Sequence, residues 1–249
     1  MPRNVFITGA SSGLGRGLAL HYAKAGDVVH AAARRKSELE ALKAESDHIV
    51  PVVLDVLDSD ALVDAIRTAE AASGGALDLV IANAGVGGPT SARKMNWRTV
   101  KKILDVNVSA AAVTIAAALP AMVERDQGHV VAVASLAAFR GLPASAAYSA
   151  SKAAMHIFME SVRIDLKGTR VRATTIYPGF VKTEMTARNK YPMPMLMELD
   201  DAVRVMAKGL ARGAATIAYP LSMAATMRTL GAIPQFLYEP LAGRLGRMF

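Results

Sequence analysis

The sequence predicts an α/β fold, in which helices cover both faces of a parallel sheet of about seven strands. Short apolar segments alternate with segments whose apolar residues recur at helical spacing. A glycine-rich turn follows the first apolar segment and leads into the first helical one. Several strand segments, such as 129–134, are apolar almost throughout, which is typical of parallel strands buried on both faces.

Strands and helices alternate along most of the chain. The predicted strands are 3–8, 27–33, 49–54, 77–82, 129–134, 171–176 and 215–219. The predicted helices lie near 14–25, 36–45, 59–72, 96–124, 146–166 and 199–212. Right-handed crossovers between parallel strands give a doubly wound sheet, with its site beyond the carboxyl ends of the strands. The residues that follow a predicted strand end are Gly9, Arg34, Asp55, Asn83, Ser135 and Pro178.

Composition indicates one soluble domain spanning 1–249. A chain of 249 residues that is 52% hydrophobic can bury a single α/β core. The absence of cysteine excludes disulfides and cysteine-ligated zinc, and the five histidines show no metal-ligand spacing. The first strand begins within a few residues of Met1, and the apolar run 110–123 is too short to span a bilayer. We therefore expect a cytoplasmic protein without a bound metal.

The turn at 8–15, with the sequence T-G-A-S-S-G-L-G, joins the first strand to the first helix. This layout points backbone N–H groups and a helix N-terminus at a pyrophosphate. The glycines are spaced G-x-x-x-G-x-G, unlike the G-x-G-x-x-G fingerprint of many dinucleotide sites. The alternative interpretation is that these glycines only permit a tight turn.

Tyr148 and Lys152, in Y-S-A-S-K, share one face of a predicted helix because they are four residues apart. A phenol has a pKa of about 10, and a nearby ammonium stabilises the phenolate and lowers that pKa. A side chain that exchanges protons near neutral pH needs such a shift. The pair alone is a weak signal, and it gains weight from Ser135 before it and from the glycine-rich turn.

Taken together, these motifs resemble the short-chain dehydrogenase/reductase family, in its shorter, single-domain, Rossmann-like subgroup. They occur in the family's order and spacing over about the first three quarters of the chain. The matching segments are T-G-A-S-S-G-L-G (8–15), Asp55-Val56, A-N-A-G (82–85), Asn107 in D-V-N-V, Ser135, Y-S-A-S-K (148–152) and Y-P-G-F-V-K-T (177–183).

The resemblance implies four catalytic residues. Tyr148 would exchange a proton with the substrate oxygen, and Lys152 would lower the tyrosine pKa and hold the nicotinamide ribose. Ser135 would hydrogen-bond the substrate oxygen as charge develops on it. Asn107 would keep a water in line with Lys152. Ser135 could instead be a strand-end turn residue, and Asn107 a polar residue satisfied within its helix.

The resemblance also implies a nicotinamide dinucleotide site. Asp55 would contact the adenine, residues 83–85 would pass under its ribose, and Pro178, Gly179 and Thr183 would lie against the nicotinamide. The implied cofactor-binding residues are Gly9, Ser11, Ser12, Gly13, Leu14, Gly15, Arg34, Arg35, Asp55, Val56, Asn83, Ala84, Gly85, Tyr148, Lys152, Pro178, Gly179, Val181 and Thr183.

The end of the second strand predicts NADP(H) rather than NAD(H). An acidic residue there binds the ribose 2′-hydroxyl of NAD, whereas an arginine accommodates a 2′-phosphate. This strand ends in A-A-A-R-R-K, with Arg34 and Arg35 and no acid. A guanidinium can bind a phosphate through two parallel N–H groups. We predict Arg34 as the primary contact; the alternative is a solvated basic loop.

Two segments beyond these motifs bear on the substrate. The predicted lid, about 180–200, carries Met185, Met193, Met195 and Met197, and adaptable methionines suit a bulky apolar substrate. The same methionines could simply fill gaps.

The predicted tail, about 221–249, comprises one or two amphipathic helices. These helices could roof the pocket, join a dimer or lie on an anionic membrane, and we favour the first two roles.

The predicted function is an NADP(H)-dependent carbonyl reductase, or the reverse alcohol dehydrogenase, acting on a hydrophobic ketone, aldehyde or alcohol. A non-catalytic NADP(H)-binding redox sensor or scaffold is the alternative.

The family resemblance implies a homodimer through the helices near 96–124 and 146–166. The net charge is +8, but lysine and arginine are dispersed, so we expect no nucleic-acid partner.

Overall fold

The computed structural model describes residues 2–189 and 192–245, and it has the predicted doubly wound sheet. All neighbouring strands pair in parallel, in the order β3-β2-β1-β4-β5-β6-β7. The strands are β1 (Asn4–Thr8), β2 (Val28–Ala33), β3 (Ile49–Val53), β4 (Leu79–Ala82), β5 (Gly128–Val133), β6 (Val171–Pro178) and β7 (Thr216–Tyr219). The predicted fold class is confirmed.

Helices cover both faces of the sheet. The α-helices are α1 (Gly13–Lys24), α2 (Lys36–Lys43), α3 (Ser59–Ala72), α4 (Trp97–Leu104), α5 (Ala111–Glu124), α6 (Ala146–Asp165), α7 (Leu199–Ala211), α8 (Leu221–Ala232) and α9 (Gln235–Leu245). On one face, α1, α2 and α7 bury residues such as Leu18, Leu39 and Met206. On the other, α3, α5 and α6 bury residues such as Ile66 and Ile115. Strands between these layers contact apolar side chains on both sides, which explains their continuous apolar sequences.

The long helix predicted near 96–124 contains a π-helical segment, Asp105–Ala110, between α4 and α5. By length and composition alone, Trp97–Glu124 could cross a membrane. However, 44% of its most apolar window is buried, and residues such as Ile115 and Met122 pack in the core under the sheet. We interpret it as a core helix.

The strand order places a crevice at the carboxyl edge of the sheet. The chain winds from β1 outward to β3, then returns to β4 beside β1 and winds outward the other way to β7. Loops that leave neighbouring strands β1 and β4 therefore separate there, and ligands of doubly wound sheets bind at such a point. The glycine-rich turn follows β1, and Asn83 follows β4.

The chain continues after β7 as two helices, α8 and α9, within the predicted tail. Ala224 and Tyr238 are buried, whereas Leu221, Phe236 and Leu237 are exposed, so much of the tail's apolar surface faces outward. Residues 246–249 of the predicted tail and 190–191 of the predicted lid lie outside the described residues.

Candidate active site

The glycine-rich turn is bound to the end of β4. Gly9 adopts a left-handed backbone with φ of +68°, which glycine reaches without strain. The Asn83 side-chain amide donates to the carbonyls of Thr8 (2.9 Å) and Gly9 (3.2 Å). Thr8 Oγ1 in turn accepts from the backbone N–H groups of Asn83 (3.0 Å) and Ala84 (3.1 Å). A side chain on Gly15 would collide with the Gly9 carbonyl, so the turn can close only around glycine there.

The N-terminus of α1 opens into the crevice. Ser12 is its N-cap, yet the Ser12 side chain makes no capping hydrogen bond among the described residues, and the first turn has no acidic side chain. The first N–H groups of a helix lack partners within the helix and attract anions. A methyl group on Gly13 would lie 3.3 Å from Thr183 Cγ2, so the start of the lid lies against this turn.

The two arginines after β2 take different positions. Arg35 donates from Nε (3.2 Å) and Nη2 (3.1 Å) to Ser11 Oγ, and its Nη1 lies 3.1 Å from Glu184 Oε2. Arg34 Nη1 lies 3.7 Å from Asp55 Oδ2, and both side chains are largely exposed. Arg35 is therefore the arginine that contacts the glycine-rich turn, while the primary role assigned to Arg34 stays a prediction.

Tyr148 and Lys152 lie together on the first turns of α6. Lys152 Nζ is 5.7 Å from the centre of the Tyr148 ring and donates to the carbonyl of Val133 at 2.8 Å. Only 5% of Lys152 is exposed. Burial disfavours the charged amine and lowers the pKa of Lys152 to about 8. The amine is thus poised to titrate close to neutral pH, one helical turn from the phenol.

Asn107 lies in the π-helical segment and binds the loop after β4. Its Oδ1 accepts from the Val86 N–H (2.8 Å), and its Nδ2 donates to the Val86 carbonyl and to Ser151 Oγ, both at 3.0 Å. A methyl group on Gly85 would lie 3.5 Å from Asn107 Oδ1 and 3.6 Å from Lys152 Nζ. The structure therefore brings Asn107 and Lys152 to the same glycine, and the Asn107 side chain is satisfied by protein groups.

Ser135 follows β5 and faces the end of β6. Its hydroxyl accepts from the Ala137 N–H at 3.2 Å and donates to the Pro178 carbonyl at 3.4 Å. The next N–H, that of Gly179, donates to the Tyr219 carbonyl at 2.7 Å. Ser135 thus caps the turn after β5, and its catalytic role stays a prediction. Its bond to Pro178 is long enough to be exchanged readily.

Several predicted contact residues direct their side chains into the core instead of the crevice. Val56 is 8% and Val181 3% exposed, and Leu14, in the first turn of α1, packs against the core.

Sequence reasoning missed three residues that organise the site: Thr8, Ser151 and Glu184. Thr8 holds Asn83 and Ala84, as described above. Ser151 Oγ donates to the Tyr148 carbonyl at 2.7 Å and accepts from Asn107, so it links two predicted catalytic residues. Thr8 and Ser151 both lie inside the quoted motifs, whereas no motif marks Glu184.

Backbone hydrogen bonds between residues 180–182 and Met197 join the two ends of the lid, and we call this pairing the lid neck. The Lys182 N–H donates to the Met197 carbonyl, and the Met197 N–H donates to the Phe180 carbonyl, both at 2.9 Å. Lys182 Nζ also pairs with Glu198 at 3.1 Å. Met185 and Met195 are about half exposed, so these two methionines do not fill gaps in the core.

The tail packs against the loop that follows Ser135. The Tyr238 hydroxyl donates to the Gly141 carbonyl at 2.6 Å, and the Arg140 guanidinium lies 4.2 Å from the centre of the Tyr238 ring. Met223 and Met227 pack in a small apolar cluster with Ala134, Leu136 and Tyr177 around the end of β6. The tail therefore forms one wall beside the predicted substrate end of the crevice.

A doubly wound sheet with a glycine-rich turn at its switch point defines the class of dinucleotide-fold proteins. Within that class, the model of the short chain dehydrogenase family matches residues 3–193. An uncharacterized oxidoreductase of Myxococcus xanthus is 53% identical over 247 residues, covering 98% of this chain and 97% of that protein. The chain belongs to the short-chain dehydrogenase/reductase family of oxidoreductases.

Solved structures agree with this assignment. A short chain dehydrogenase from Burkholderia cenocepacia in complex with NADP has a TM-score of 0.82 and 28% identity, covering 96% of this chain and 97% of that one. A 3-ketoacyl-(acyl-carrier-protein) reductase from Brucella melitensis complexed with NADH has a TM-score of 0.79 and 25% identity, covering 86% and 95%. Relatives with the same fold thus bind either form of the cofactor.

Proposed function

We propose that this protein is an NADP(H)-dependent oxidoreductase that interconverts a hydrophobic ketone or aldehyde with the corresponding alcohol. The observation that carries this proposal is the buried Lys152 amine, placed one turn from the Tyr148 phenol and beside Gly85. Burial disfavours the charged form of this amine, so the ammonium gains from a nearby anion, and the phenolate of Tyr148 would supply one.

The crevice fits a nicotinamide dinucleotide. The α1 N-terminus without a side-chain cap suits the pyrophosphate, and the close approach at Gly15 leaves the turn tight enough for backbone contact. Arg34 and Arg35 supply two guanidinium groups for a 2′-phosphate, with no acid at the end of β2. The Burkholderia cenocepacia relative in complex with NADP is consistent with this choice. When bound, the nicotinamide supplies or accepts the hydride.

The chain's own residues would manage the proton and the developing charge. In reduction, the Tyr148 hydroxyl donates a proton to the substrate oxygen, and the Lys152 ammonium stabilises the phenolate that remains. The Ser135 hydroxyl turns from the Pro178 carbonyl to the substrate oxygen and stabilises negative charge there. Asn107 holds the loop at Val86 and, with it, a water in line with Lys152.

Exposed apolar side chains at the substrate end support a hydrophobic substrate. Met185, Met195 and Leu196 of the lid are 42–53% exposed. Ser222, in the first turn of α8, approaches Met195, with its hydroxyl 3.1 Å from the Met195 sulfur. A flexible thioether surface adapts to apolar groups of different shapes. Lid and tail together would enclose the apolar part of the substrate.

Assembly and location complete the proposal. Leu104 of α4 and Ile157 and Ile164 of α6 are exposed apolar residues on the two helical segments expected to pair subunits. An exposed apolar surface on packed helices suits a second copy of this chain. We propose that the protein is cytoplasmic and forms a homodimer, and sedimentation would test the dimer.

Tyr148→Phe tests the catalytic assignment, because it removes the acidic hydroxyl and keeps the ring beside Lys152. We expect NADPH affinity, measured by nicotinamide fluorescence, to change less than twofold, while turnover of hydrophobic ketones and aldehydes falls by at least about a hundredfold. Turnover near the wild-type rate would refute the role of Tyr148. Tight NADPH binding by the wild type without turnover on a broad panel would favour the sensor or scaffold.

A further inference from the structure

We propose that Glu184 is a specificity-determining residue, which competes with the 2′-phosphate of the cofactor for the Arg35 guanidinium and so links cofactor binding to the lid. This inference rests on the proposed use of NADP(H). Arg35 bridges the glycine-rich turn and the lid through Ser11 and Glu184.

The contacts divide the Arg35 guanidinium between two partners. Nε and Nη2 donate to Ser11 Oγ, and Nη1 lies 3.1 Å and 3.4 Å from the two carboxylate oxygens of Glu184. Thr183, next to Glu184, lies over Gly13 in the turn. The first residues of the lid therefore lie over the start of α1, and Arg35 joins them to it by an ion pair.

A 2′-phosphate would change this arrangement. A phosphate monoester carries about −1.5 to −2 charges near pH 7, and a guanidinium binds it best through two parallel N–H groups. Ser11 occupies the Nε–Nη2 edge of Arg35 and Glu184 lies at Nη1, so a phosphate binding the Nη1–Nη2 edge would lie beside the Glu184 carboxylate, which would repel it. Binding of NADP(H) would therefore separate Glu184 from Arg35, whereas NAD(H) carries no phosphate and would leave the pair intact.

The first residues of the lid are also held by hydrogen bonds that do not involve Arg35. The Thr186 hydroxyl donates to the Val181 carbonyl at 2.6 Å, and the Thr183 N–H donates to Thr186 Oγ1 at 2.9 Å. The neck pairing between Lys182 and Met197 is also independent of Arg35. The bond to Arg35 is thus a tie between the lid and the cofactor site that can break while the lid stays folded.

Glu184→Gln tests the competition, because it removes the charge and keeps the shape. Nicotinamide fluorescence titration at about 0.15 M salt should show the dissociation constant for NADPH falling about two- to fivefold, within the range expected for an exposed ion pair. The dissociation constant for NADH should change less than twofold. Glu198→Gln is the matched control. Glu198 is an equally exposed lid carboxylate paired with Lys182 instead of Arg35, and its replacement should leave both constants unchanged.

An Arg35→Ala background separates failure of this inference from failure of the proposed function. There, NADPH affinity should drop while NADH affinity holds, and adding Glu184→Gln should then change NADPH affinity less than twofold. If Arg35→Ala and Arg34→Ala both spare NADPH binding, the proposed NADP(H) preference itself fails. If Arg35→Ala lowers the affinity for NADPH but Glu184→Gln leaves that affinity unchanged or lowers it, Glu184 is not a competitor and the inference is overturned.

Discussion

Lys152 shows how burial gives a common side chain an uncommon property. The sequence predicted its pairing with Tyr148 from a four-residue spacing, but spacing cannot tell a solvated lysine from a buried one. In the structure the amine contacts the Val133 carbonyl in a site that is nearly closed to water, and its pKa falls to about 8 as a result. The chemistry proposed for α6 depends on that burial as much as on the residue types.

We expect the rate of carbonyl reduction to fall as pH rises through about 8. Below that pH the Lys152 ammonium stabilises the phenolate of Tyr148; above it the amine is neutral, the phenol pKa returns towards 10 and Tyr148 becomes a weaker acid. The measurement is the pH dependence of kcat with saturating NADPH. Lys182→Met, which removes an exposed lysine at the lid neck, should leave the midpoint unchanged. A rate that stays level to pH 9.5 would contradict the assignment.

Among the elements, the strands and helices α1, α2, α3, α6 and α7 were predictable within about two residues, because the strands are short apolar runs and these helices carry apolar residues at helical spacing. The π-helical turn around Asn107 was not, since its sequence D-V-N-V-S-A contains no helix breaker. It coincides instead with contacts distant in sequence, from Asn107 to Val86 and Ser151. Likewise, Arg35 and Arg34 are neighbours of the same type, and only the fold brings Arg35 onto Ser11.

The packing partner of the tail was also not predictable from the sequence. Its two helices follow from sequence, but its partner does not, because apolar residues point both inward and outward. Helix α8 lies directly on the loop after Ser135, where a Cβ atom on Gly231 would stand 2.8 Å from the Phe139 carbonyl oxygen. Arg140 adds a hydrogen bond to the Gly231 carbonyl at 3.4 Å. The tail therefore supports the loop between two predicted catalytic residues.

Gly231→Ala should lower kcat/KM for a hydrophobic carbonyl substrate by about tenfold, because the added methyl group pushes α8 away from the loop that carries Ser135. NADPH affinity should change less than twofold, since the cofactor-binding turns lie elsewhere. Steady-state kinetics and fluorescence titration provide the two measurements. Gly243→Ala in α9 is the matched control, because a Cβ atom there meets nothing within 4 Å. Equal effects of the two variants would show that helix propensity, and not the contact with Phe139, matters.

Across the whole molecule, the two edges of the sheet differ in what they contribute. The carboxyl edge carries the crevice and the predicted catalytic residues. Near the amino edge, His129 of β5 is buried, and its Nε2 lies 2.7 Å from Thr174 Oγ1. The Thr174 hydroxyl gives its own hydrogen to the Ala214 carbonyl at 2.6 Å, so the His129 ring must donate from Nε2. This histidine contributes to the stability of the sheet and lies outside the proposed chemistry.

Stability should therefore depend on the charge state of His129. Burial, and then the charges of Arg172 and Arg3, lower its pKa from 6.5 to about 4. Between these values the unfolded chain binds a proton that the folded chain rejects, so the free energy of unfolding decreases as pH falls from about 6.5 to 4, by about 3 kcal/mol. His129→Gln keeps an N–H donor that never titrates, and the difference between variant and wild type isolates His129 from His30 and the carboxylates. Urea unfolding at pH 7.5 and 4.5 should show the wild type losing more stability than the variant, while equal losses would mean that His129 is protonated without cost in the folded protein.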